Sequence, residues 1–499
     1  MPPRRWITPF LKQCIVTSGV SINMASSGMV MGFTTGLLTQ LKEDGSAIPI
    51  DDETGSWIAA SPGFTLLLGN AVVPILMSKF GRKTTNLITI VLQIAGWLSI
   101  AGADNLTVLL VARSIQGLSL GAVMVFGPIL IGEYSSPQYR GIFLMNISII
   151  TSLTVLIVHT SGLYLHWKIT ALIFAVIMFV NLLIVIFSPM SPSWLASQGR
   201  IEETARNFRW LRGEDEEKEL QKMITYSMKV QTKSASEHLL TRIKKALLYF
   251  KIIVKKKEFY KPVIIMVHLY TLGQWAGINI MSVFTVDIFK YIVRQCDSPI
   301  YVIALDIQRV ISTAIALIII KKTRRRLVLF VTTGINIAIL ILTAGYTFAK
   351  SKNQSLEYSL LGLVLIHLHM FSIACGTLPM PLVISGEIFP LECRSLAGGI
   401  SILFFSFSFT LVVKTFPLLI RTLDVHGTYL IYAGVTAYSL AVAAVFLPET
   451  KDKSLQDIED EFKGIPVDMT TAERLISNSD NNVNVKLLDD SANNLIKRN

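Results

Sequence analysis

Long apolar runs, each bounded by a short polar break, repeat along the whole chain. Crossing a hydrocarbon core as an α-helix takes about 18 or more mostly apolar residues. Such runs occupy 14–38, 56–78, 84–103, 107–132, 141–163 and 168–188. After a polar stretch they resume at 261–289, 299–320, 327–349, 357–385, 395–420 and 427–447. The pattern predicts an all-α membrane protein with twelve transmembrane helices in two six-helix bundles, and an even number of spans puts both termini on one side. The expected divisions are a first bundle over 1–188, a linker with short helices over 189–260, a second bundle over 261–447 and a tail over 448–499. The tail, rich in Asn, Asp and Ser from Ser477 to Asn484, reads as largely disordered. Arg4 and Arg5 ahead of the first run imitate a signal peptide, but that run exceeds a typical signal core and lacks a convincing cleavage site, so it reads as a retained span.

The breaks themselves repeat. Glu133 ends the fourth run, Pro137 breaks the helix and Arg140 opens the next; Glu387, Pro390 and Arg394 do the same after the tenth. The basic clusters Lys79, Arg82, Lys83 and Lys322, Arg324, Arg325, Arg326 follow the second and eighth runs, while Pro189 and Pro448 close the sixth and twelfth. Three corresponding marks in the same order imply two halves of one topology.

Charge placement then sets orientation. Loops carrying Lys79, Arg82, Lys83, Arg140, Lys321 to Arg326 and Arg394 mark the cytoplasmic side, which places both termini and the linker there. The opposite side begins with an acidic loop holding Glu43, Asp44, Asp51, Asp52 and Glu53, and it contains the sequon at Asn353, a candidate glycosylation site. The chain is 52% hydrophobic and 16% charged, which excludes a soluble globule of 499 residues. Its formal charge of +12 is therefore read as membrane orientation and not as nucleic-acid binding. Basic, amphipathic pieces of the linker suit either the acidic inner leaflet or a solvated face. Four cysteines (Cys14, Cys296, Cys375, Cys393) lie at unrelated depths and give no disulfide framework, and the span histidines His159, His268, His367 and His369 give no metal site. No cofactor is expected. No phosphate-binding loop or nucleophile elbow is present either, so an enzyme is not expected.

Read together, Gly81-Arg82-Lys83, Arg113 with Gly117 and Gly121, Pro128 with Glu133 and Arg140-Gly141, the stretch from Pro189 to Leu195, Gln274 with Gly277 and Asn279, Glu387 to Arg394, and Pro448 to Leu455 resemble the sugar porters of the major facilitator superfamily. Within that family, Gly55 to Ile58 and Trp210 to Gly213 are similar to the insect facilitated trehalose transporters. The resemblance implies that Gln274 and Asn279 are sugar ligands, with Gly277 letting a group approach the backbone; helix-to-helix hydrogen bonding is the alternative. A spacing of five residues turns the two amides about 140° apart on a regular helix, so one cavity sees both only if the helix is broken or wide-facing.

Departures from the family pattern stand at Gly273, Ser148, Arg309, Met380, Ser406 and Phe407, where sugar contacts are expected and absent. Ser148, Ser372 and Thr410 remain candidate substrate positions. Arg309 falls near mid-membrane, paired either with Asp306 or with an anionic substrate. Span one holds no Asp or Glu, whereas proton-coupled family members commonly use an acid there, and this implies downhill transport.

The expected gate on the basic side joins Arg82 to Glu133 and Arg325 to Glu387, supported by Arg140 and Arg394, with Arg113 in the same set. Each such pair at 4 Å is worth up to about 4 kcal/mol before desolvation is subtracted. Ser78 and Lys321 stand where the family's basic loop carries Asp. The expected function is a plasma-membrane uniporter of a sugar, trehalose or a related disaccharide or hexose. It would act as a monomer in the bilayer by alternating access. The alternatives are a sugar sensor with little transport and a carrier of an anionic solute through Arg309.

Overall fold

Helix ends fall where the sequence supplies caps, which is why the observed helices outrun the apolar stretches. Thr8 caps Pro9–Leu41, Asp51 accepts from Thr54 N at 2.9 Å to start Asp52–Phe80, and Asn105 accepts from Val108 N at 3.0 Å to start Leu106–Tyr134. Proline at the first position opens Pro137–Tyr164. Arg82–Ala101 and Trp167–Phe187 complete the first six spans. A computed structural model of the chain describes residues 8–43, 45–46, 48–213, 216–234, 250–293, 299–352, 359–390, 393–451, 453 and 455–463. Asn353, Cys296, Arg4, Arg5, the linker residues 235–249 and the tail beyond 463 lie outside them.

The second bundle is less regular. Span seven is Lys257–Trp275 followed, after a break, by Ile278–Val283 and Thr285–Ile292. Spans eight and nine are Pro299–Lys322 and Arg325–Lys352. Span ten runs from Ser359–Ser372 through a wide turn at Ile373–Thr377 into Pro379–Glu387. The loop expected between spans eleven and twelve is absent. One helical stretch, Arg394–Phe446, covers both, turned by Asp424 alone at φ 55° and ψ −177°. Large apolar side chains such as Ile75, Phe187 and Val445 are exposed, as a lipid-facing surface requires.

Packing within the first bundle depends on missing side chains. A methyl on Gly117 would lie 2.1 Å from the Pro62 carbonyl oxygen, and one on Gly121 2.1 Å from that of Leu66, so spans two and four touch backbone to backbone. The linker helices Pro192–Ser197, Ile201–Arg212 and Glu217–Ser234 dock on this bundle. There Gln13 donates to Leu211 O at 3.3 Å, and Arg212 donates to Glu133 O at 3.3 Å while pairing with Glu216 and Glu219.

Glu449, just past span twelve, caps span nine. Its carboxylate accepts from Arg325 N at 3.0 Å, Arg326 N at 3.2 Å, Thr450 N at 3.1 Å and Lys451 N at 3.0 Å. Burial pushes this carboxyl up, but the four backbone donors outweigh burial and hold it below its ordinary value.

The bundles meet through spans one, two and five on one side and seven, eight and eleven on the other. Asn70 donates to Ser406 Oγ at 2.5 Å and Ser152 bonds Thr313 at 3.1 Å near mid-depth. Toward the face opposite the basic loops, Thr35 donates to Ser282 O at 2.9 Å, Lys414 donates to Ser56 Oγ at 2.7 Å over the Trp57 ring, and His159 meets Asp306 at 2.6 Å. Among the described residues, the cross-bundle bonds thus run from mid-depth to the face opposite the basic loops, and that half of the interface is closed.

Two outcomes follow for stability. Gly121→Ala is expected to lower the thermal unfolding midpoint in detergent, whereas Gly334→Ala, whose new methyl meets nothing within 4 Å, keeps the wild-type value. Because the Glu449 carboxyl is depressed in the fold, its contribution is present above the ordinary carboxylate value near 4.3 and is lost as pH falls through the folded value. Glu449→Gln should therefore cost about 1 kcal/mol at neutral pH, with the gap from wild type closing on acidification. Melting curves at several pH values check this.

Candidate functional site

Span seven breaks where glycine allows it. Gly277 has φ 102°, and a side chain there would press to 3.0 Å on His369 Cε1. The break frees backbone acceptors, and His369 Nε2 donates to Ala276 O at 2.8 Å to satisfy one. The same break swings Asn279 back toward Gln274, so that Asn279 Nδ2 donates to Gln274 Oε1. The two amides, apart on a regular helix, become one unit. Gln274 is buried and Asn279 half-buried, and among the described residues nothing else bonds the Gln274 NH2 or the Asn279 carbonyl. Alongside lies a cavity with room for about one water molecule, walled by Gly277, His369, Phe416, Tyr429 and Tyr432. Trp275 packs on Tyr432 at 5.0 Å between ring centroids, and Phe284 on Phe416 at 5.2 Å.

Arg309 is buried at 4% exposure. Its NH1 lies 3.7 Å from Asp306 Oδ1 and its Nε donates to Met370 Sδ at 3.4 Å, while NH2 has no hydrogen-bond partner. Asp306 is nearer to His159, whose Nδ1 stands 2.6 Å from Asp306 Oδ2 and whose Nε2 donates to Ser282 O at 3.0 Å. Polar packing was expected for His159 and an i, i+3 pairing for Asp306. Both occur, but the shorter bond joins residues 147 positions apart. The other span histidines do pack: His367 bonds Gln308 and His268 bonds Ile264 O.

On the basic face two clusters repeat one design. Arg82 Nε is 3.3 Å from Glu133 Oε1, and Ser191 donates to Glu133 Oε2 at 2.5 Å. Arg325 NH2 is 3.2 Å from Glu387 Oε1, and Thr450 donates to Glu387 Oε2 at 2.6 Å. Each cluster joins its own bundle to the segment that follows that bundle, and neither bonds the other bundle among the described residues.

Several expected site residues are placed elsewhere. Arg140 and Arg394 do not support the glutamates; they are exposed and donate to Gly132 O at 2.9 Å and Gly386 O at 2.7 Å, matching backbone caps in the two halves. Arg113, grouped with the gate, is fully buried among neutral acceptors. It donates to Val30 O, Ile58 O, Gln116 Oε1 and Thr34 Oγ1, tying spans one, two and four together. Ser372 is committed within the second bundle, accepting from Asn336 at 3.1 Å and donating to His369 O at 2.8 Å. Thr410 donates to Ser406 O at 2.9 Å and sits against Gly63 where span two crosses span eleven. Ser148 is half-buried in span five and no bond joins it to the amide pair. Lys414 and Asn70, which link the bundles, were missed. The Gly55-Ser56-Trp57-Ile58 motif was the available signal for Lys414, which docks on Ser56 and Trp57.

The family described as "Sugar (and other) transporter" is matched over residues 13–462. The chain is 28% identical over 471 residues to "Facilitated trehalose transporter Tret1" of Apis mellifera ligustica, covering 93% of this chain and 90% of that protein. It is 27% identical over 457 residues to the protein of the same description in Aedes aegypti, covering 91% of this chain and 55% of that one. Its fold is similar to that of the inward open xylose transporter XylE from E. coli, with a TM-score of 0.71 at 17% identity over 91% of this chain and 100% of that one. With nearly its whole length matched, and with two helical bundles meeting beside a broken seventh span, the chain belongs to the sugar transporter family and is a multi-pass membrane protein of the major facilitator fold.

Proposed function

We propose that the chain is a facilitative transporter of trehalose or a related disaccharide or hexose. It lies in the plasma membrane with the basic face and both termini in the cytoplasm. The observation that carries the reading is the break at Gly277, which turns Gln274 and Asn279 into one amide pair with donors and acceptors left over, the chemistry that a ring of hydroxyls needs. The curated relatives are described as facilitated trehalose transporters, which supports the substrate class. Arg113 supports the uniport: its guanidinium is held by four neutral acceptors, including Thr34 on span one, and among the described residues it pairs with no carboxylate.

The bundles rock about this site, and with the cross-bundle bonds gathered on the outer face the site is presented toward the cytoplasm. The Arg82–Glu133–Ser191 and Arg325–Glu387–Thr450 clusters act as braces: each fixes the cytoplasmic end of one bundle so that it moves as a unit, and offers that end for closure when the outer face opens. A second reading, carriage of an anionic solute, is favoured by one observation, the buried Arg309 NH2 without a hydrogen bond.

The test is uptake of labelled trehalose, hexoses and organic acids into proteoliposomes, with and without a proton gradient. Saturable trehalose or hexose uptake that needs no gradient is expected, and uptake of organic acids alone would replace this reading with the anionic one. Gln274→Ala is expected to remove most of the uptake, about tenfold or more, the size of one or two lost hydrogen bonds to a buried polar ligand. Unchanged uptake in that variant takes span seven out of the site. Glu387→Gln should slow uptake by about fivefold, as loss of about 1 kcal/mol from a partly exposed pair implies, with the thermal midpoint little changed. Wild-type rates would remove the brace.

A further inference from the structure

His159 is held in a way that counts protons. Its Nε2 faces the Ser282 carbonyl at 3.0 Å and its Nδ1 faces Asp306 Oδ2 at 2.6 Å. A carbonyl oxygen only accepts, so Nε2 must carry a hydrogen. At 2.6 Å the lone pair of a bare Nδ1 cannot face a carboxylate oxygen, so a second hydrogen lies between Nδ1 and Oδ2, on one atom or the other. The pair therefore holds one proton more than a neutral imidazole beside a carboxylate. Without that proton one of the two bonds is lost.

Both bonds run between bundles. His159 is in span five, whereas Asp306 is in span eight and Ser282 ends the short helix Ile278–Val283 of span seven. The side chains of His159 and Asp306 are both 0% exposed. The groups facing them are few. Span eight adds Arg309, with NH1 3.7 Å from Asp306 Oδ1, and span seven adds only the Ser282 carbonyl. Span one adds Gly32, where a methyl would come within 3.2 Å of the imidazole, and Thr35, which donates to the same Ser282 carbonyl at 2.9 Å. Span ten places Met370 on Arg309, while its own histidines turn to Gln308 and Ala276 O. Among the described residues, Asp306 and Arg309 are thus the charged groups at the imidazole.

We propose that His159 and Asp306 form a proton-binding site that latches the outer face: the bound proton holds the two bundles together there, and its loss lets that face open. The proposal rests on the alternating-access reading but not on the identity of the sugar. The proton balance is simple. The latched site is buried, so the proton is released when the outer face opens, as His159 and Asp306 part. One proton is taken back from the same side when the face closes. Each cycle then carries no net proton inward, and the outer pH sets how often the site faces out.

The experiment measures distances between spin labels in the full chain in lipid nanodiscs without sugar. The labels sit at Tyr164→Cys and Ile300→Cys, exposed positions on spans five and eight, with the native cysteines replaced by serine. Raising the pH from about 5 to about 9 is expected to convert short distances to long ones. The open-to-closed ratio should change by up to about tenfold per pH unit in the titrating range, the limit for one linked proton. Asp306→Asn should stay closed throughout, because an amide donates to Nδ1 without an added proton. His159→Gln should lose the pH response. A wild-type distribution unchanged with pH, or a His159→Gln protein that keeps the wild-type response, overturns the proposal. Since no sugar is present, failure of trehalose uptake leaves this result standing on its own.

Discussion

Hydrocarbon offers no partner to a backbone group that leaves its helix, so each irregularity in this chain has to be answered from within the protein. The answers are specific side chains. His369 takes up the Ala276 carbonyl freed at Gly277, Thr35 and His159 share the Ser282 carbonyl, and Glu449 gathers the first amides of span nine. Arg140 and Arg394 do the same for carbonyls near the ends of spans four and ten. The places where the backbone is unpaired and the places where polar chemistry collects are therefore the same places. The amide pair exists because the helix that carries it is interrupted.

Much of this was legible in the chain because membrane physics leaves few options. The length of the apolar runs gave the spans, and the repeated Glu-to-Arg breaks gave the two halves. The cost of an unpaired charge pointed Arg82 to Glu133 and Arg325 to Glu387, and the angular argument about Gln274 and Asn279 asked for a broken or wide-facing helix, of which the break is found. What was not legible involved neighbours distant in sequence. Asp306 has Arg309 one turn away, and proximity along the chain hides a closer partner 147 residues off. Ser372 and Thr410 look like free hydroxyls in sequence, yet both are consumed by local and interhelical bonds. Arg113 looks like the other motif arginines, but it lies deep in a bundle where backbone carbonyls, the Gln116 amide oxygen and the Thr34 hydroxyl accept from it.

The two halves match in some respects and differ in others, and the difference separates tasks. The clusters on the basic face match almost residue for residue, each adding one hydroxyl from outside its bundle: Ser191 from the linker and Thr450 from the segment after span twelve. These tie the end of each bundle to the segment that follows it. The bonds between bundles do not repeat. Histidine and threonine on one side meet aspartate and a bare carbonyl on the other, and Lys414 crosses to Ser56 with no counterpart among the described residues of the first half. The duplicated contacts thus lie along each half, and the unmatched ones lie between the halves.

The turn at Asp424 gives the last two spans a mechanical character of their own. A single left-handed residue joins them, so no slack separates the span that bears Ser406 and Lys414 from the one that leads to Glu449. The contacts of span eleven with span two and those of Glu449 with span nine therefore belong to one pair of helices joined at a single non-helical residue.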